Sequence, residues 1–165
     1  MSETKYCFAP VVDAHTRVLI LGSLPGEASL AHGQYYGHPQ NRFWRLTGRL
    51  IERDLTALRY PERLQALLDG GLGLWDVVAA AKREGSLDSN IRERVENDLA
   101  SLVRGLPQLA AIAFNGGTAA RIGQRQLDEQ ATRYALHPLP SSSPAFTLPF
   151  EQKYAAWSVL RQYLI

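Results

Sequence analysis

The sequence predicts an α/β domain of three layers, with helices on both faces of a central four-stranded, mainly parallel sheet. Three observations carry this. Short apolar runs alternate with longer amphipathic stretches, as in successive βαβ units. The run Val18, Leu19, Ile20, Leu21 is apolar without interruption, which suits a strand buried on both faces. Segments rich in Gly, Pro, Ser and Asn follow the apolar runs, where open α/β sheets keep their ligands. At 165 residues the chain fits one domain, 1–165, and can bury a substantial core.

Taken in order, residues 1–16 read as an irregular arm containing Pro10, and residues 17–21 as the first strand. Residues 22–40 hold four glycines and two prolines, too long a stretch for a mere connector. Residues 42–53 read as a helix with Phe43, Leu46, Leu50 and Ile51 on one side. Pro61 opens a helix over 61–68, which Gly70 and Gly71 end. The second strand is read over 72–78, where Trp75, Val77 and Val78 suit a pleated surface. The spacing of Ile91, Val95, Leu99 and Leu102 predicts a helix over 91–104. Residues 109–114 are the third strand, and the turn from Asn115 to Thr118 leads into a helix over 119–124. The fourth strand is read over 132–136, ending at His137 and Pro138, and a closing helix covers 150–163.

Composition narrows the chemistry. The formal net charge of +2 permits a nucleic-acid partner without requiring one. Lys stands only at positions 5, 82 and 153, so the cations are mostly Arg, which suits bidentate phosphate contacts but also reflects genome composition. Cys7 is the single cysteine, so no internal disulfide or Cys-ligated cluster can form. His15, His32, His38 and His137 lack ligand spacing, and no metal is expected. The first twenty residues lack a signal-type core and no apolar run reaches membrane-spanning length, so a soluble, cytoplasmic protein is expected. A Gly-x-Ser-x-Gly elbow is missing, and no Lys falls in the candidate loops for Schiff-base chemistry.

Several segments each admit a structural and a functional reading. Gly22, Ser23, Leu24, Pro25 and Gly26 can be a plain tight turn, or a loop whose backbone approaches a ligand closely. The spacing matches neither a dinucleotide fingerprint nor a phosphate-binding P-loop. Gln34 to Asn41 is dense in aromatic and amide groups: Tyr35 and Tyr36 can cap the core or stack on a planar ligand. Asn41 can cap the helix that follows, or read a base edge or hold a water, and the two are compatible. Pro140, Ser141, Ser142, Ser143 and Pro144 form either a solvated hinge or a stiff loop that clamps a phosphate backbone. His137 reads as a satisfied structural histidine.

Together these segments resemble the uracil-DNA glycosylase superfamily, and within it the hypoxanthine-DNA (deoxyinosine) glycosylase branch called family six. The segments that carry the resemblance are 22–30, 34–44, 85–91, 114–116 and 139–144, in that order. The run from His38 to Trp44 is also similar to the mismatch-specific uracil/thymine glycosylases. The resemblance implies the three-layer fold of that superfamily, no cofactor, and a DNA partner containing a deaminated base. It places the Gly22–Gly26 loop against a flipped nucleotide and Tyr36 under the extruded base. Asn41 matches the asparagine to which catalysis is attributed, and the loop from Leu139 to Pro144 matches the motif that pinches the DNA backbone.

Two positions depart from the wider superfamily. Leu24 stands where many members position water with Asp or Asn, and Leu139 stands where many hold the leaving base with His or Asn. Neither Leu can do those jobs, so a base other than uracil is expected, with Asn41 as water-positioner. Base extrusion, hydrogen bonds to the departing base and a positioned water suffice for glycosidic cleavage. Backbone amides of 22–26 and the side chains of Ser86 and Asn115 are candidate donors to the base. Without a lysine nucleophile the product is an intact abasic site. The expectation is a monomeric, monofunctional deoxyinosine glycosylase, with Phe146 and Leu148 as wedge candidates. A non-catalytic binder of damaged DNA and a small-molecule nucleoside hydrolase are the alternatives.

Overall fold

In the computed structural model, which describes residues 3–164, the central strand β2 (Val18–Gly22) is buried along its whole length. Its side chains alternate between two cores: Val18 and Ile20 join one, Leu19 and Leu21 the other. That is the period of a pleated strand with apolar neighbours on both faces, and it explains the unbroken apolar run. Around it lie β3 (Leu72–Asp76), β6 (Ala111–Asn115) and β7 (Ala135–Leu139), in the order β3-β2-β6-β7 with every pair parallel. The predicted four-stranded α/β sheet is therefore present.

One face is covered by α2 (Phe43–Leu50), α3 (Tyr60–Asp69) and α6 (Phe150–Trp157), through Phe43, Leu46, Leu67 and Trp157. The other face is covered by α4 (Leu99–Arg104) and α5 (Gly117–Leu127), through Leu99, Val103 and Ile122. Pro61 stands in the first turn of α3, where Glu62 also accepts from the Arg59 backbone at 3.1 Å. Gly71 follows with φ 86°, a left-handed turn that returns the chain to the sheet. No helix among the described residues is long and apolar enough to cross a membrane.

A second, three-stranded antiparallel sheet is the main departure from the sequence reading. It consists of β1 (Thr4–Tyr6), β4 (Val78–Lys82) and β5 (Arg92–Glu96), in the order β1-β4-β5. The expected strand over 72–78 is thus divided: β3 ends at Asp76, and Val78 opens β4, which pairs with β5 in the second sheet. The expected helix over 91–104 is half wrong. Val95, counted there as an apolar contact, is 60% exposed on β5. The true helix signal is Asp98, whose Oδ1 accepts from Ser101 N at 3.1 Å and starts α4.

Smaller corrections share one cause, the weakness of local end signals. The arm 1–16 contains β1 among its described residues, and the loop 22–40 contains α1 (Glu27–His32). The fourth strand runs three residues later than read and contains His137 and Pro138. Proline is tolerated there because β7 is the edge of the sheet. The closing helix tightens after Trp157 into a 3-10 turn, Ser158–Tyr163.

Candidate active site

The carboxyl ends of the four parallel strands carry Gly22, Asp76, Asn115 and Leu139. Above them lies a cleft of about 720 Å³. Its wall brings together the Gly22–Gly26 loop, Tyr36, Asn41, Ser86, Asn115 and Ser141 to Pro144. Of the residues singled out in the sequence for base, water or DNA contact, Leu139, Pro140 and the wedge candidate Leu148 are not on this wall; the Pro140 carbonyl accepts from Trp157 Nε1 at 2.9 Å. Sequence-distant loops meet here because β2, β3, β6 and β7 are neighbours and all point the same way.

The Gly22–Gly26 loop is fastened by a buried cation. The Arg83 side chain is 0% exposed and donates to Leu24 O at 3.4 Å, to Pro25 O, and through Nε to Gly85 O at 3.1 Å. Asp88 lies 4.0 Å from the guanidinium and accepts the Ser23 hydroxyl at 2.6 Å. Ser86 Oγ accepts from Glu27 N at 2.9 Å, at the start of α1. Ser23 and Ser86 therefore hold the two loops to each other. Leu24 is buried in the second core, so its side chain cannot orient a water.

Tyr36 and Asn41 also line the cleft, the Tyr36 hydroxyl lying beside Gly22. Tyr36 has φ 52°, an uncommon conformation for an aromatic residue. It is held there by Trp44 Nε1, which donates to Tyr36 O at 3.1 Å, and by stacking on Phe43 at 3.8 Å between centroids. Burial, followed by the Asp76 charge, raises the Tyr36 phenol above its ordinary range, so it stays a neutral hydroxyl. Asn41 Oδ1 accepts from Phe43 N at 2.9 Å, capping the start of α2 from a position on the cleft wall. Its Nδ2 has no hydrogen-bond partner among the described residues.

The serine loop is built on Asn115. Asn115 Nδ2 donates to Ser142 Oγ at 2.9 Å, and Ser142 N donates to Asn115 Oδ1 at 2.8 Å. Arg42 N donates to Ser142 O at 3.0 Å, and the buried Lys153 donates to Ser143 O at 3.1 Å. The loop is stiff and its position is tied to the start of α2. Phe146, 46% exposed, stands at the rim, whereas Leu148 is not on the wall. His137 is paired with the Tyr163 hydroxyl at 2.8 Å, away from the cleft.

Asp76 was not singled out in the sequence. In the fold it ends β3 and lines the cleft, 3% exposed. Its Oδ2 is buried with no hydrogen-bond partner among the described residues. A methyl group on Gly22 would lie 2.7 Å from Asp76 Oδ1 and 3.0 Å from the Tyr36 hydroxyl, so glycine at 22 leaves room for both. Burial pushes the Asp76 carboxyl up to about 7; the Asp88 charge adds to the rise and Arg83 opposes it. The available signal was an acid at the carboxyl end of a parallel strand.

The profile of the uracil DNA glycosylase superfamily matches residues 9–164. The chain belongs to the uracil DNA glycosylase superfamily. A Methanosarcina barkeri protein named hypoxanthine DNA glycosylase is 41% identical over 154 residues, covering 93% of this chain and 96% of its own. A Methanosarcina acetivorans protein of the same name is 43% identical over 138 residues, covering 84% of this chain and 85% of its own. The solution NMR structure of a candidate uracil DNA glycosylase from Methanosarcina acetivorans superposes with a TM-score of 0.87 at 38% identity. That match covers 98% of this chain and 99% of the other. The resemblance read from the sequence is borne out, and so is the α/β superfamily fold.

Proposed function

We propose that this superfamily member is a monofunctional hypoxanthine DNA glycosylase, acting as a cytoplasmic monomer that releases the deaminated base and leaves an abasic site. The observation that supports this best is the single cleft lined by Tyr36, Asn41 and the serine loop. The relatives named for hypoxanthine, 41% and 43% identical, supply the base.

In this reading the lesion is rotated out of the duplex, which costs little for the weakly paired hypoxanthine. It enters the cleft that the Gly22–Gly26 loop and Tyr36 line together. One Tyr36 face rests on Phe43 and the other takes the base. Asn41 holds the attacking water through the second lone pair of Oδ1 and through Nδ2. Ser141 and Ser143 clamp the phosphates beside the flipped nucleotide, on a loop that the buried Ser142 anchors to Asn115, and Phe146 at the rim fills the gap left in the stack. Leu24 and Leu139 are both buried and offer no polar group, which favours a base other than uracil.

The test is incubation with duplexes carrying deoxyinosine, xanthine or uracil, followed by alkaline cleavage of abasic sites. Strand cleavage after alkali, strongest with deoxyinosine, is the expected result. Salt-dependent binding with no product from any duplex would refute the reading in favour of a damage-binding protein. Release of the base from free nucleosides alone would refute it in favour of a nucleoside hydrolase.

A further inference from the structure

Asp76 is the buried acid on the cleft wall, and the mechanism above leaves it without a task. Its Oδ1 lies against Gly22 beside the Tyr36 hydroxyl, while Oδ2 is buried and unpartnered. The nearby cation does not neutralise it. Arg83 is turned instead toward the carbonyls of Leu24, Pro25 and Gly85, and its acid neighbour is Asp88. A buried polar atom with no partner, in a site where Ser23, Ser86, Asn115 and Ser142 are all hydrogen-bonded, is fitted to a ligand that is polar where it meets Asp76.

We propose that Asp76 is a catalytic residue: its carboxyl donates a proton to a ring nitrogen of the purine as the glycosidic bond breaks. This rests on the glycosylase reading above. The C1′–N9 bond breaks with its electron pair going to the base. The proton passes from Asp76 to the base, which leaves neutral, and Asp76 is left as carboxylate. Water adds to C1′ and releases one proton to solvent, and Asp76 regains one from solvent. The net reaction consumes one water and yields the abasic sugar and the free base.

The surroundings suit a loaded acid. Asp76 faces Tyr35 and Tyr36 from the loop after α1, Cys7 from the segment after β1, and Asp88 and Arg83 from the segment after β4. Burial dominates and lifts the carboxyl to about 7, so it carries its proton below that pH and loses it above. Of the other ionisable groups on the wall, His38 accepts from Gln40 N at 3.0 Å and Glu27 pairs with Lys5 at 3.5 Å, whereas Asp76 alone is a buried acid beside Gly22.

The variant Asp76→Asn keeps the shape and removes the acid. At pH 6, single-turnover release from a deoxyinosine duplex is expected to fall about 100-fold, within the range of general acid catalysis. The wild-type rate should fall about tenfold per pH unit above about 7 while the variant stays flat, so that the two converge at alkaline pH. Equal rates, or a constant ratio across the pH range, would overturn the proposal. Inert wild-type protein on every duplex would refute the glycosylase reading instead. Independently of any substrate, the ¹³C carboxyl resonance of Asp76, assigned with Asp76→Asn, should report a protonated group at pH 6. Titration in the ordinary range of Asp, near 4, would overturn the proposal by itself.

Discussion

Asn41 has two jobs in the structure, and a pair of substitutions separates them. Its Oδ1 accepts from Phe43 N at 2.9 Å and starts α2, the helix that buries Phe43, Leu46 and Leu50 in the first core. Asn41→Ala removes this cap, which should cost about 1 kcal/mol. For a chain of this size that lowers the melting temperature by roughly 2–4 °C. Removing the group that positions the attacking water should slow base release by about 100-fold or more, equivalent to roughly 3 kcal/mol of the barrier. Asn41→Ser restores a good capping oxygen but cannot reach the water. It should therefore melt close to wild type and remain as slow as the Ala variant. Single-turnover release from a deoxyinosine duplex and scanning calorimetry give the two numbers. A Ser variant that regains activity along with stability would show that Asn41 is only a helix cap. An Ala variant within threefold of the wild-type rate would remove it from the mechanism.

Other expectations follow from the same site. Gly22→Ala places a methyl 2.7 Å from Asp76 Oδ1, so the acid must move by about half an ångström. The fold should survive, but release should drop tenfold or more, since a displacement near 1 Å costs about 100-fold; undiminished release would refute the placement of the site. Asn115→Ala leaves Ser142 N without its partner in a buried position, and should destabilise by about 1–3 kcal/mol and loosen DNA binding. Unchanged stability by urea titration would contradict the locking role. Asp76 also makes a stability prediction. Its folded carboxyl is raised to about 7, so between about pH 4 and 7 the unfolded chain has lost the proton that the folded chain keeps. Stability from this group falls as pH rises through that window, by an amount on the order of a few kcal/mol. Asp76→Asn should therefore melt higher than wild type at pH 8, with the gain vanishing toward pH 4.

The sheet was readable where burial on both faces leaves an unbroken apolar run, as in β2 and β6. Reading failed where a local pattern fitted two elements equally well. Ile91, Val95, Leu99 and Leu102 match a helical spacing, yet Val95 lies on the exposed strand β5. β5 exists because β4 offers it an edge, and β1 closes the other side of the same small sheet. Such partners are far away in sequence and leave no periodic trace.

The cleft was legible for similar reasons and to a similar extent. Gly22–Gly26, Tyr36, Asn41 and the serine loop carry residue types that are costly or unusual in a plain connector, and all but Pro140 line the cleft. By itself the chain also determined the superfamily, through five short segments in a fixed order. Only the tertiary structure decided which polar groups are already committed and which remain open. It bound Ser23 to Asp88 and Asn115 to Ser142, and it left an oxygen of Asp76 buried and alone. The physical reason is that hydrogen-bond satisfaction and desolvation depend on what lies across the cleft, and no stretch of sequence contains its own opposite wall.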